Sequence, residues 1–208
     1  MPATVANIHI GQGEIWLGGT APTAGTDPTD PTLGTPSAVN AFTTSYAAPT
    51  SGGTYVGFTN GAATLTYKPT FYMVETEQAF AEVVTIPTNE EAGLAFTMLE
   101  AGYVNLATAM GQGTTRVVTP GPPAFDAIYV GSKAVISLKV TTLLSRKRSG
   151  TGYYVLTLYQ AYSMEGANLN FERRVEQKIP TNMRCLADVT RPTGDQLFQL
   201  VAYAANPT

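Results

Sequence analysis

The chain has 208 residues, of which 13% are charged, with 15 acidic against 12 basic side chains and a formal charge of -3. That length suits one ample β domain, and the mild acidity removes the basic face that a phosphate-gripping protein needs. Histidine and cysteine each occur once, as His9 and Cys185, which excludes an intrachain disulfide, a thiolate metal cage and any multi-histidine centre. The charged share is about half of the usual one, so part of the surface is expected to be covered by further copies of the chain. No apolar run approaches the roughly 20 residues of a membrane-spanning helix, and no basic-then-apolar leader opens the chain. The expectation is folding in a reducing cytoplasm without membrane insertion.

In chain order, Asn7 to Leu17 reads as a first strand interrupted by glycine, with Ile15 and Leu17 pointing one way and Trp16 the other. A Gly/Pro/Thr-rich tract follows, taken as a loop or arm over residues 18–56. Alone it lacks the apolar surface to offset its ordering entropy. A floppy insertion and an arm that orders against a neighbouring subunit both fit, with Phe42, Tyr46 and Tyr55 as the anchors of such an arm. Asn60-Gly61 is a tight-turn dipeptide, and alternating apolar residues after it predict strands. These include an acidic strand from Met73 to Gln78 and, beyond a turn at Thr88-Asn89-Glu90-Glu91, a strand from Leu94 to Met98.

Near Leu99 the apolar period changes to about 3.6, placing Leu99, Tyr103, Leu106 and Met110 on one helical face before Gly111 stops the helix. A loop from Gly111 to Pro123 and a short strand from Ala127 to Val130 come next. Val135 to Leu144 and Tyr153 to Met164 form a long β-hairpin with a basic tip at Arg146, Lys147 and Arg148. In its first strand Ile136, Leu138 and Val140 alternate with Ser137, Lys139 and Thr141, as a buried and a wetter face require. Asn170 to Ile179 carries Glu172, Arg174, Glu176 and Lys178 on one face, and Leu197 to Tyr203 supplies a final strand. No tandem repeat appears. The predicted architecture is mainly β: one domain over residues 1–208, an antiparallel sandwich or barrel-like pair of sheets with one flanking α-helix and long loops.

Catalysis would rest on His9 alone, since no Gly-x-Ser-x-Gly elbow or Gly-Lys-Ser/Thr phosphate loop is present. The chain therefore reads as non-enzymatic and without cofactor or metal. Glu75 and Glu77, two apart on a strand, point to one side. They fit a solvated acidic edge or a negative wall facing a channel, and no sugar cleft or raised pKa marks them as a glycosidase pair. Arg146, Lys147 and Arg148 fit a solvated tip, an inter-subunit contact or a nucleic-acid contact, and Glu90 and Glu91 at their turn are weaker candidates for the same inter-subunit role.

The Gly57-Phe58-Thr59-Asn60-Gly61 turn, Thr64 to Tyr67 with Lys68-Pro69, the acidic strand, the Thr-Asn-Glu-Glu segment into Leu94 to Met98, and the helix ending at Gly111 follow one another in a particular order. With Ala187 to Pro192, Gly194-Asp195 and Leu197 to Leu200, this order resembles the tail tube (major tail) proteins of long-tailed non-contractile bacteriophages. The resemblance covers roughly Gly57 to the C-terminus. It implies a virion protein, assembled in the host cytoplasm, forming hexameric rings stacked into a tube with a shared β-barrel lumen. Its implied partners are the tape measure protein, tail terminator and tail-tip proteins, and viral DNA in transit without sequence-specific binding. On it Glu75 and Glu77 face the lumen and Arg146, Lys147 and Arg148 meet the next ring. A type VI secretion tube or terminator role lies within the same structural class. From another class, the eleven tyrosines and low charge fit a carbohydrate- or surface-binding β-sandwich used for decoration or adhesion.

Overall fold

The computed structural model describes residues 13–18, 21, 54–57, 59–74, 84–99, 102–111, 115–119, 125–131, 136–146, 153–168 and 177–203. Ten strands and one helix follow in the order β1 (Glu14–Leu17), β2 (Thr54–Tyr55), β3 (Thr64–Val74), β4 (Val84–Met98), α1 (Tyr103–Met110), β5 (Thr115–Thr119), β6 (Phe125–Tyr129), β7 (Lys139–Arg146), β8 (Tyr153–Ser163), β9 (Ile179–Leu186) and β10 (Phe198–Tyr203). Eight strands make one antiparallel sheet, ordered β2-β1-β7-β8-β9-β4-β3, with β10 joined to β8 off that path, while β5 and β6 form a separate hairpin.

The sheet forks at Tyr159. Residues 153–158 of β8 pair with β10, whereas residues 160–163 pair with β9, so one strand belongs to two half-sheets. The halves close over a shared core in the manner of a sandwich. It joins Ile15 and Leu17 of β1 and Leu156 and Leu158 of β8 to Leu94, Phe96 and Met98 of β4 and Ile179 and Met183 of β9. Trp16 points away from this core, packing with Leu144, Val155 and Tyr55 on the opposite face, as the alternation Ile15-Trp16-Leu17 predicts.

Proline placement follows from the same topology. Pro69 lies in β3, the terminal strand of the order, and Pro87 in the part of β4 that pairs with β3 alone. A residue without an N–H donor is tolerated where one side of a strand needs no partner.

Helix α1 packs against β8 and β9 and touches the β5–β6 hairpin. It starts at Tyr103 and excludes Leu99, and its buried positions are Asn105, Thr108 and Ala109, while Tyr103 is 45% exposed. The apolar spacing therefore misplaces the inner face. Polar partners make the difference: Asn105 Nδ2 donates to the Val56 carbonyl at 2.6 Å, and Ser163 Oγ donates to the Ala109 carbonyl at 2.8 Å. Gly111 ends the helix at φ 68°, its N–H donating to the Thr108 carbonyl at 3.1 Å. A Cβ there would sit 3.0 Å from the Ser163 carbonyl oxygen. Gly111→Ala combines that contact with a left-handed backbone and is expected to cost about 2 kcal/mol, read as a lower urea midpoint with unchanged slope.

Several expectations are corrected. Thr88 to Glu91 is no turn but part of the 15-residue strand β4, where Asn89, Glu90 and Glu91 pair with Thr70, Pro69 and Lys68. These polar residues read as a turn because that stretch of strand is solvated on both faces. In the β7 region the expected alternation holds at Ile136 and Ser137 but fails beyond: Leu138 is 41% exposed while Thr141 and Thr142 are both buried, and a register irregularity lies between Lys139 and Thr141. The predicted loop from Gly111 to Pro123 contains β5, and β9 was not predicted. Asn7 to Gln12, Glu75 to Gln78 and Asn170 to Glu176 lie outside the described residues.

Candidate assembly surface

β9 pairs with β4 only from Ala92 to Met98, so from Lys68 to Val74 and from Val84 to Glu91 strands β3 and β4 continue as a two-stranded ribbon. At the usual rise per residue the extension is roughly 23 Å long. Thr88 is the extra residue at a register shift opposite Thr70 and Phe71, and its Oγ1 donates to the Thr70 carbonyl at 3.2 Å. Such a bulge twists a ribbon more strongly.

Strand alternation puts Tyr67, Pro69, Phe71 and Met73 on one ribbon face, continuous with the core side of Leu65, and Lys68, Thr70 and Tyr72 on the other. Phe71, Tyr72, Met73 and Ile86 are 47–62% exposed, so apolar side chains show on both faces. A two-stranded ribbon is marginally stable alone in water, and the outer edge of β3 pairs with no other described strand.

Charges sit at the ribbon base. Arg184 Nη2 of β9 pairs with Glu91 Oε1 at 2.9 Å on the face away from the core, with both side chains more than a third exposed. Pairs this exposed add little stability, so their weight lies in the polarity of the face. Gly93, between them and Ala95, keeps the floor low; a Cβ at Gly93 would stand 3.0 Å from the Met183 carbonyl oxygen. Glu90 points to the other face. There it accepts from the Tyr67 hydroxyl, and that hydrogen bond, helped by partial burial and the carboxylate charge, pushes the phenol pKa up.

Beside Glu90 an open cleft of about 750 Å³ separates the ribbon base from the segment Ala187 to Phe198, with Tyr67 and Phe198 as its aromatic walls. Their rings meet edge to face at 5.8 Å. The facing segment is cross-braced. Asp188 N–H donates to the Gln196 carbonyl at 2.9 Å, Asp188 Oδ1 accepts from Thr190, and Gly194 takes φ 91°. The Arg191 guanidinium lies 3.6 Å over the Tyr159 ring and pairs with Asp195 Oδ2 at 3.1 Å, while the Tyr159 hydroxyl donates to Asp195 Oδ1 at 2.5 Å.

Burial and then the Asp195 hydrogen bond raise the Tyr159 pKa far above its ordinary value of 10.0. The neutral phenol's contribution is complete below the unfolded-state value and is lost as pH climbs from there toward the folded-state value. Urea midpoints from pH 9 to 11 are therefore expected to fall more steeply in the wild type than in Tyr159→Phe. Equal slopes would remove Tyr159 as the cause.

The candidate site residues are distributed as follows. Glu90 and Glu91 lie side by side at the ribbon base but on opposite faces, not together at a turn. Tyr55 pairs with Trp16 in its own chain, ring centroids 5.1 Å apart. Arg146 ends β7 opposite Tyr153. Glu75, Glu77, Phe42, Tyr46, Lys147, Arg148 and His9 lie outside the described residues. Sequence reasoning does not reach Arg191 and Tyr159, whose contact joins distant segments; the four-residue spacing of Arg191 and Asp195 is the local signal for their pairing. Among the described residues no group of three or more His, Cys, Asp or Glu side chains is placed to hold a metal, and no helix is long and apolar enough to cross a membrane.

No protein-family model matches this chain, and no curated protein sequence matches it. By its own chemistry the surface is an apolar ribbon whose outer edge no described strand pairs, with a mixed-charge base and a cross-braced loop beside it.

Proposed function

We propose that this chain is a structural, non-catalytic subunit of a non-contractile phage tail tube, in which hexameric rings stack around the tape measure protein and later pass DNA. The observation that carries the reading is the β3–β4 ribbon, which extends past its sheet with apolar side chains on both faces and an outer β3 edge that no other described strand pairs. Closure of a ring covers such edges and buries such faces against neighbouring copies. The resemblance in residue order supports the same reading, as does the low share of charge. In the tube the ribbons of successive subunits complete a shared barrel, terminator and tail-tip proteins close its ends, and the virion tail is the site of action. Sedimentation velocity and negative-stain imaging of the purified full chain test this: rings or stacked tubes are the expected result. A compact monomer at high concentration, absent from virions, overturns it.

The aromatic cleft favours one second reading. Tyr67 and Phe198 beside Glu90, Asn89 and Gln196 combine ring faces with a carboxylate and two amides, the chemistry of a carbohydrate- or surface-binding module. Glycan-array binding by a soluble monomer, abolished in Tyr67→Ala, would favour that module over the tube.

A further inference from the structure

Lys139 at the start of β7 is half-buried, and its chemistry is not used by the assembly surface. Its stem runs beside Ala161, its cross-strand partner, which is fully buried and small enough to leave room. Its Nζ donates to Thr108 Oγ1 of α1 at 2.8 Å. The group is part-buried, and burial alone pushes its pKa down. The ammonium has three N–H donors, and among the described residues no carboxylate stands within ion-pairing distance. A recess of about 20 Å³ opens beside it, lined by Thr108, Ser137, Ser163 and the Gly111 turn, with no acidic side chain. That volume suits a single-atom occupant of about the size of a water.

We propose that this recess is a binding site for one small monovalent anion, chloride-sized, held by Lys139 Nζ and the Ser137 hydroxyl. A half-buried cation without a counter-charge is unfavourable, and a single-atom anion is the ligand that matches both the sign of the charge and the size of the space. The site ties the start of β7 to α1, so its occupation stiffens the contact between helix and sheet. It is independent of the assembly reading, because neither Lys139 nor Ser137 lies on the ribbon or the cleft.

The test is thermal unfolding of the purified full chain at constant ionic strength while methanesulfonate, too large for the recess, is exchanged for chloride or bromide. The expected result is a midpoint that climbs with halide and saturates. Half-saturation should shift roughly fivefold upward in Ser137→Ala, which removes one hydrogen bond at an exposed position, and the response should vanish in Lys139→Met. A bromide-soaked crystal of the wild type gives a readout free of any folding defect in the variants: an anomalous peak within hydrogen-bonding distance of Nζ is expected. A halide response undiminished in both variants overturns the proposal, as does a soaked crystal with water alone beside Nζ.

Discussion

Changing Phe71 and Met73 to glutamate is expected to abolish the assembly proposed for this chain while leaving each copy folded. Both side chains stand on one ribbon face, 48% and 57% exposed, beyond the last residue of β4 that pairs with β9. Within a single copy they bury little, so the double substitution should change the urea midpoint of the unassembled protein only slightly. Against a neighbour the position is different. Each loses the apolar burial of its exposed half, about 1 kcal/mol, and a carboxylate introduced into the contact must be desolvated without a partner, which is costlier still. Together these weaken each subunit contact by a factor on the order of a thousand or more. Sedimentation velocity and electron microscopy should show monomers where rings are the result expected of the wild type. Lys68→Ala, an exposed position at the base of the ribbon's other face, serves as the control and should assemble. If the double variant assembles as the wild type does, the ribbon is not the contact.

The second large effect concerns the clamp at the fork. Arg191→Ala removes a guanidinium whose side chain is 6% exposed, which lies over the Tyr159 ring and holds both the carboxylate and the carbonyl of Asp195. Asp195 keeps the Tyr159 hydroxyl but loses its cation, and the ring loses its face contact. Because Asp195 retains some solvent, the loss is set at about 3 kcal/mol, below that of a fully buried pair. For a domain of this size that is a fall in Tm of roughly 10 °C. Arg191→Lys keeps the charge but not the fork-shaped geometry and should recover only part of it. Differential scanning calorimetry of the three proteins checks the order wild type, Lys, Ala. An Arg191→Ala protein within 1 °C or so of wild type would mean that the loop is held by its backbone bonds alone.

Local patterns in the sequence reached some elements and not others, for identifiable reasons. The Ile15-Trp16-Leu17 alternation was legible because each face of β1 has its own apolar cluster. Gly61 and Gly111 were legible because both adopt positive φ at element ends. The strand over Thr88 to Glu91 was not, since a solvated ribbon has no buried face to impose an apolar period. The inner face of α1 was hidden for the opposite reason: Asn105 and Thr108 are buried through hydrogen bonds that no hydrophobic pattern reports. The alternation of β7 was not legible because Thr141 and Thr142 are both buried, beside a register irregularity in which Tyr159 and Gln160 of β8 lie opposite Val140 alone. For the surface, the apolar texture of β3 was visible in sequence, whereas the Arg191 clamp and the cleft depend on contacts between distant segments.

One pairing sets how this molecule reaches its native state. β1 finds its partner in β7, more than half the chain away, and every hydrogen bond of that seam waits on loop closure around the intervening residues. Until then β7 offers a vacant berth that the β1 of another nascent copy fits equally well, since the two are chemically identical. Crowded refolding is therefore expected to raise the share of intertwined dimers that trade β1, and slow dilution should give the larger yield of correctly closed chains.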